Sequence, residues 1–336
     1  MMQGICSRAF ALLVPMLLAS AAGAQEGDPF FRTYLSVNEV RSLAVDGDRF
    51  WLATGGGAVL YDPAGEGIEL FHRSRDGLLS DSLTSVAIAP DGRVWFGCER
   101  AGISIFDPLD RTWEAFTSLQ RPIPGDRIRR IRFSGDTLFV SAAEGYAVFV
   151  SGDQIAVCQE GIDDLRCGLP SYDVRDFAGD PAGNGFWIAT AEGVAHHDSS
   201  ETTTIYDAGP SSPAAGRLVR HRGSWIASFP DGAYRLDLGT ETWDPLGGPT
   251  GEDAVRALLS DGERLLAAGA QGVWSLAADG AWSRVGDRSF PATSIARDAA
   301  GGFWAGARDP SENEDGLWRL DSGVWERTVF PGPSRR

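Results

Sequence analysis

The sequence predicts an all-β fold, and three observations carry that expectation. Short β-prone runs separated by Gly, Asp and Pro fill the chain in the manner of successive hairpins, and no window holds a capped apolar period of 3.6 residues. The segment from Val40 to Asp62, VRSLAVDGDRFWLATGGGAVLYD, recurs in degraded form, most clearly at 83–107 and 174–198. Its anchor is an aromatic or large aliphatic residue, then an apolar residue, then two small ones. That anchor appears seven times, at Trp51, Trp95, Phe139, Trp187, Trp225, Leu265 and Trp304.

Each copy has the same internal order. An alternating apolar run such as Val40 to Val45 leads through an Asp/Gly turn into the anchor run. A glycine turn follows, at Gly57, Gly102, Gly145, Gly193, Gly232, Gly272 and Gly316 in the seven copies. The third run (Ala58 to Tyr61) then passes through a turn rich in Asp, Pro or Gly to a fourth (Ile68 to Phe71). Four strands in roughly 40–45 residues is the size of one propeller blade. A single four-stranded sheet cannot bury both faces, so neighbouring copies must stack on it, and seven can do so around an axis. The expectation is a seven-bladed β-propeller with four antiparallel strands per blade over residues 37–330. All 11 tryptophans fall on three places in the repeat. Trp51, Trp95, Trp187, Trp225 and Trp304 are anchors, Trp274 and Trp318 lie in third strands, and Trp113, Trp243, Trp282 and Trp325 open fourth strands. Recurrence in blade after blade is what sheet-on-sheet packing needs, since each ring buries a large apolar area.

These motifs resemble those of the two-component regulator propeller repeat family. Asp76-Gly77-Leu78-Leu79-Ser80-Asp81-Ser82-Leu83 runs into Asp91-Gly92-Arg93-Val94-Trp95-Phe96-Gly97-Cys98, and Trp187-Ile188-Ala189-Thr190-Ala191-Glu192-Gly193 is a second instance. The resemblance implies a seven-bladed ring of the kind found as the extracytoplasmic sensing or binding part of bacterial surface proteins. Sensors of that family continue into a membrane span and a kinase. This sequence stops six residues after its last expected strand, so that output is not carried over. The motif residues build blades and name no ligand.

The ends carry their own expectations. Arg8, the apolar run Ala9 to Ala19 and Ala22-Gly23-Ala24 read as a signal peptide over 1–24, cleaved near Ala24 to give a secreted or periplasmic protein. Residues 25–36 read as a leader whose Phe31 to Leu35 could supply a ring-closing strand, yet Val324 to Val329 offers that strand from the other end. Residues 331–336 read as a disordered tail. No later run reaches the roughly 18 apolar residues of a spanning helix, so membrane insertion is not expected.

Charge narrows the partners. The formal net charge is −16, which makes nucleic acid and anionic lipid poor partners. All 30 basic residues are arginine, so Schiff-base and P-loop lysine chemistry are closed to this chain. Cys158 and Cys167 are close enough in sequence to form a disulfide in an oxidising compartment, with Cys98 left as a buried thiol after a strand.

Nothing in the motifs supports catalysis. The four histidines are His72, His196, His197 and His221. His196 and His197 are adjacent in a strand, point to opposite faces and cannot share a metal. The elbow, zincin and P-loop signatures are missing. Arginine is the more informative residue. The second residue of the inner strand is Arg41, Thr84, Arg129, Arg175, Gly216, Arg256 and Thr293 in blades one to seven. Arg41, Arg129, Arg175 and Arg256 could form an anion site near the channel mouth. The ordinary reading is that each pairs with an acid of a neighbouring blade. Blade seven carries an insertion, Arg308 to Asp315, whose Asp309, Glu312, Glu314 and Asp315 resemble a calcium loop in composition but not in spacing. No other cofactor is expected. The reading is a monomeric binding or interaction module, sensor-like, for a glycan or envelope protein. The alternative is a propeller lyase or hydrolase acting on a polysaccharide or small molecule, which clustering of His72 or His221 with acids on the ligand face would favour.

Overall fold

The computed structural model describes residues 36–65, 67–159, 167–251, 255–309, 311 and 313–330. Over these the chain forms seven antiparallel sheets, each of four consecutive strands paired in chain order. The inner strands of blades one to seven are Val40–Asp46, Leu83–Ile88, Ile128–Ser134, Val174–Gly179, Leu218–His221, Ala257–Ser260 and Ala292–Arg297. Each contacts the next, and the seventh returns to the first. The fold is therefore a seven-bladed β-propeller. Among the described residues the one helix is a single turn, Arg73–Asp76, in the connection from blade one to blade two.

Burial explains the strand roles. Second strands such as Phe186–Thr190 and Phe303–Ala307 are buried along their whole length, because a neighbouring blade covers each face. A fourth strand such as Thr112–Phe116 is partly or fully exposed throughout. The tryptophans wedge between blades as the repeat requires. Trp51 meets Phe96 and Phe106 of blade two with ring centroids 5.9 and 5.5 Å apart. Trp187 meets Trp225 of blade five at 5.1 Å, and Trp304 meets Phe50 of blade one at 4.5 Å. At roughly 25 cal/mol per Å², an indole that buries about 200 Å² contributes about 5 kcal/mol before ordering costs.

All seven turn glycines adopt positive φ, from 78° at Gly102 to 144° at Gly145, which explains why only that residue type recurs there. Close packing adds a second constraint: a Cβ on Gly316 would stand 2.7 Å from the Thr328 carbonyl oxygen.

The ring is not evenly packed. The inner strands of blades seven, one, two and three contact one another more extensively than do those from blade three round to blade seven. Glycine permits the tight half. A Cβ on Gly97 would lie 2.7 Å from Ile128 Cγ2, and one on Gly306 would lie 2.6 Å from Val40 Cγ1. The looser half, where Ser141, Ala189 and Ala227 of blades three to five stand in place of that glycine, holds the candidate site.

Blade seven takes its fourth strand from its own sequence, Val324–Thr328. Closure against blade one is a clasp of side chains. Asn38 Oδ1 accepts the Phe330 N–H at 2.6 Å, and Asn38 Nδ2 donates to the Phe330 carbonyl at 3.1 Å. Phe330 is buried beside Tyr61, with centroids 5.6 Å apart. Thr293 Oγ1 donates to the Val40 carbonyl at 2.5 Å. The expected signal peptide, the leader strand Phe31 to Leu35 and the tail 331–336 lie outside the described residues.

Candidate functional site

The arginine positions have a structural cause. Between Val40 and Ser42, Leu83 and Ser85, Val174 and Asp176, and Ala292 and Ser294 the pairing register of the inner strand slips by one residue. Blade three does the same, pairing Ile128 and Arg130 with consecutive residues Ala142 and Ser141. Each slip is a bulge that drops one residue from the ladder and re-aims its side chain. The dropped residues are Arg41, Thr84, Arg175, Thr293 and Arg129. Several of them stitch blade to blade: Thr84 Oγ1 donates to the Ile128 carbonyl at 2.8 Å, and Arg41 Nη1 to that of Leu83 at 3.1 Å.

The structure separates Arg41 from the other three. Arg41 pairs with Glu39 at 3.0 Å and with Glu99 of blade two at 3.5 Å. Arg129, Arg175 and Arg256 instead line one cavity of about 380 Å³, together with Arg130 and Arg217. Ser228, Phe229 and Pro230 form part of its wall. It lies at the end of the channel where the inner strands begin. Asp173 bridges the mouth, contacting Arg129 across the blade boundary and Arg175 at 3.4 Å. Burial first, then the nearby charges of Arg175 and Arg127, hold the Arg129 guanidinium below its usual pKa range. Arg217 is fixed by backbone oxygens of two other blades: Nη1 donates to the Arg175 carbonyl at 3.0 Å, and Nε donates to that of Arg256.

Beneath this mouth sits a charged cluster that sequence reasoning missed. Asp176 is buried, with 1% of its surface exposed. Arg130 Nε lies 2.8 Å from its Oδ1, Arg132 Nη1 lies 3.6 Å away, and its Oδ2 accepts the Leu218 N–H at 2.9 Å. Burial pushes the Asp176 carboxyl up. The guanidinium groups of Arg130, Arg132 and Arg217 and the Leu218 N–H outweigh that and hold its pKa below the ordinary value. Arg132 also donates to the Phe177 carbonyl at 2.6 Å. The signal for this cluster was present. At the position after the bulge, where blades one, two and seven carry Ser42, Ser85 and Ser294, blades three and four carry Arg130 and Asp176.

The remaining candidates are dispersed. His72 sits in the connection from the last strand of blade one to the inner strand of blade two, 3.8 Å from Asp81. Both acids beside it serve the short helical turn: Asp76 accepts the His72 N–H and Asp81 the Arg73 N–H, each at 2.7 Å. His221 is at the far end of the blade five inner strand, its Nδ1 2.9 Å from Ser260 Oγ. His196 stacks on Trp187 at 4.3 Å, while His197 faces the other way, 3.0 Å from Thr203 Oγ1. Neither His72 nor His221 lines the arginine cavity. In the blade seven loop, Asp309 accepts N–H groups of Ser311, Asn313 and Glu314, and Asp315 accepts that of Asp309. Glu312 lies outside the described residues. Among the described residues no group of three or more His, Cys, Asp or Glu is placed to hold a metal. Cys158 and Cys167 are bridged, with Cα atoms 5.7 Å apart, within the span a disulfide requires. Cys98 is buried, and burial pushes its thiol pKa up to about 11.

No protein-family model and no curated protein matches this chain in sequence. Solved structures do match in fold. The extracellular domain of a hybrid two component system from B. thetaiotaomicron superposes with a TM-score of 0.67 at 15% identity, over 87% of this chain and 47% of that one. PorZ, a surface component of the type-IX secretion system of Porphyromonas gingivalis, gives 0.66 at 13% identity, over 89% and 40%. A streptogramin B lyase gives 0.60 at 14% identity, over 75% and 84%. This chain spans less than half the length of the first two. At such identities the likeness shows the fold alone.

Proposed function

We propose that this protein is an extracytoplasmic binding module, secreted or periplasmic and sensor-like, that holds an anionic group of a glycan or envelope-protein ligand at its arginine-lined channel mouth. One observation carries the reading: five arginines converge on a single cavity of about 380 Å³ in a chain of net charge −16. Guanidinium forks match carboxylates bidentately, and a local positive site in an acidic protein selects anions over neutral ligands. A cavity of this size is at the lower end of those that take small ligands. His72 does stand beside two acids, Asp76 and Asp81, but neither it nor His221 lines the arginine cavity, and that separation supports binding over catalysis there. Among the described residues no helix is long and apolar enough to cross a membrane.

The test is an array of acidic and neutral glycans probed with the wild type and with the Arg129→Gln/Arg175→Gln variant. The reading expects acidic glycans to be retained by the wild type and lost by the variant while its fold persists. Unaltered retention of every acidic glycan by a folded variant would refute it.

A further inference from the structure

The arginine surface does not stop at the mouth. Arg130 lines the mouth cavity and also a second cavity of about 260 Å³ deeper in the channel, whose wall includes Ser42, Ser85, Ala87 and Arg132 beside apolar residues such as Ile88 and Phe133. Arg129, Arg130 and Arg132 belong to one strand, Ile128–Ser134. At roughly 3.3 Å per residue, and less across the bulge at Arg129, the backbones of Arg129 at the mouth and Arg132 inside are about 8–10 Å apart along the strand. Arg132 lines this inner cavity and keeps 36% of its side-chain surface accessible. The one carboxylate that Arg130 and Arg132 share, Asp176, is itself buried, leaving the cavity side of that cluster cationic.

We infer that the two cavities are arms of one site, and that the ligand is an elongated dianion with carboxylates about 8–10 Å apart, one held at the mouth and one at Arg132. This rests on the anion-binding reading of the mouth and extends it inward. A compact anion would use the mouth alone. A second charge-assisted contact in the inner arm adds enough to strengthen binding about tenfold or more.

Isothermal titration of the wild type with hexanoate, succinate, adipate and sebacate tests the inference. Affinity is expected to climb with length across the diacids, so that sebacate binds about tenfold or more tighter than succinate or hexanoate. In Arg132→Gln the climb should flatten to the monoacid level. Ala87→Glu should flatten it as well, by placing a carboxylate in the inner cavity while leaving the Arg132–Asp176 pair in place. If diacids bind without length dependence, and Arg129→Gln/Arg175→Gln abolishes that binding, the inner arm is refuted and the mouth site stands. If no carboxylate binds at all, both readings fall.

Discussion

Replacing Asp176 by Ala removes a buried anion at the junction of blades three, four and five. The variant loses the 2.8 Å contact with Arg130, the 3.6 Å contact with Arg132 and the acceptor of the Leu218 N–H. Breaking a buried ion pair by deleting one partner costs about 3–5 kcal/mol, because the other charge is left without compensation. Here both arginines keep about a third of their side-chain surface accessible, 32% and 36%, so the lower end applies, about 3 kcal/mol. At about 2 °C per kcal/mol for a chain of this size, the melting point should fall by about 6 °C. Asp176→Asn, which keeps an acceptor for Leu218, should cost less. The sign of the pH dependence follows from the depressed carboxyl of Asp176. Its stabilisation is present above the unfolded pKa of about 4 and is lost as pH falls through the lower folded value. Urea titrations followed by the fluorescence of the 11 tryptophans measure both. A loss below about 1 kcal/mol, or a gap between wild type and variant that persists undiminished in acid, would refute the reasoning.

Three further outcomes are expected. Asn38→Ala removes both hydrogen bonds of the clasp between blades seven and one, and should cost about 1–3 kcal/mol in chemical denaturation. Gly97→Ala places a methyl 2.7 Å from Ile128 Cγ2 and should destabilise by about 1–3 kcal/mol, with Ile128→Val recovering part of the loss in the double variant. Cys167→Ser opens a bridge between residues nine apart in sequence and should cost about 2–3 kcal/mol against the oxidised wild type, a difference that reducing agent should erase.

The blades were legible because their determinants are local. A glycine forced to positive φ and an indole wedged between sheets must recur at fixed offsets, and Gly57 to Gly316 and Trp51 to Trp304 do. The site was legible only in part. Arg129, Arg175 and Arg256 could be placed at one level of the ring by counting strands, yet the same count placed Arg41 with them. Pairing does not separate Arg41, since Glu39 and Glu99 hold it as Asp173 holds Arg129 and Arg175; what separates it is that it lies outside the cavity the other three line. Arg130 and Asp176 were missed because each looked unremarkable within its own strand. Only the cross-blade comparison, Ser42 and Ser85 against Arg130 and Asp176, exposes a complementary pair. The choice of closing strand was not legible, since the two terminal candidates share one pattern. The tie of Phe330 to Asn38 spans 292 residues and leaves no periodic trace.

The most direct test is the affinity of the folded wild type for glucuronate compared with glucose, by isothermal titration at low and high salt. The account predicts that glucuronate binds, that salt weakens its binding and that glucose does not bind. Equal affinity for the two sugars, or glucuronate binding indifferent to salt and unchanged in Arg129→Gln/Arg175→Gln, would contradict it.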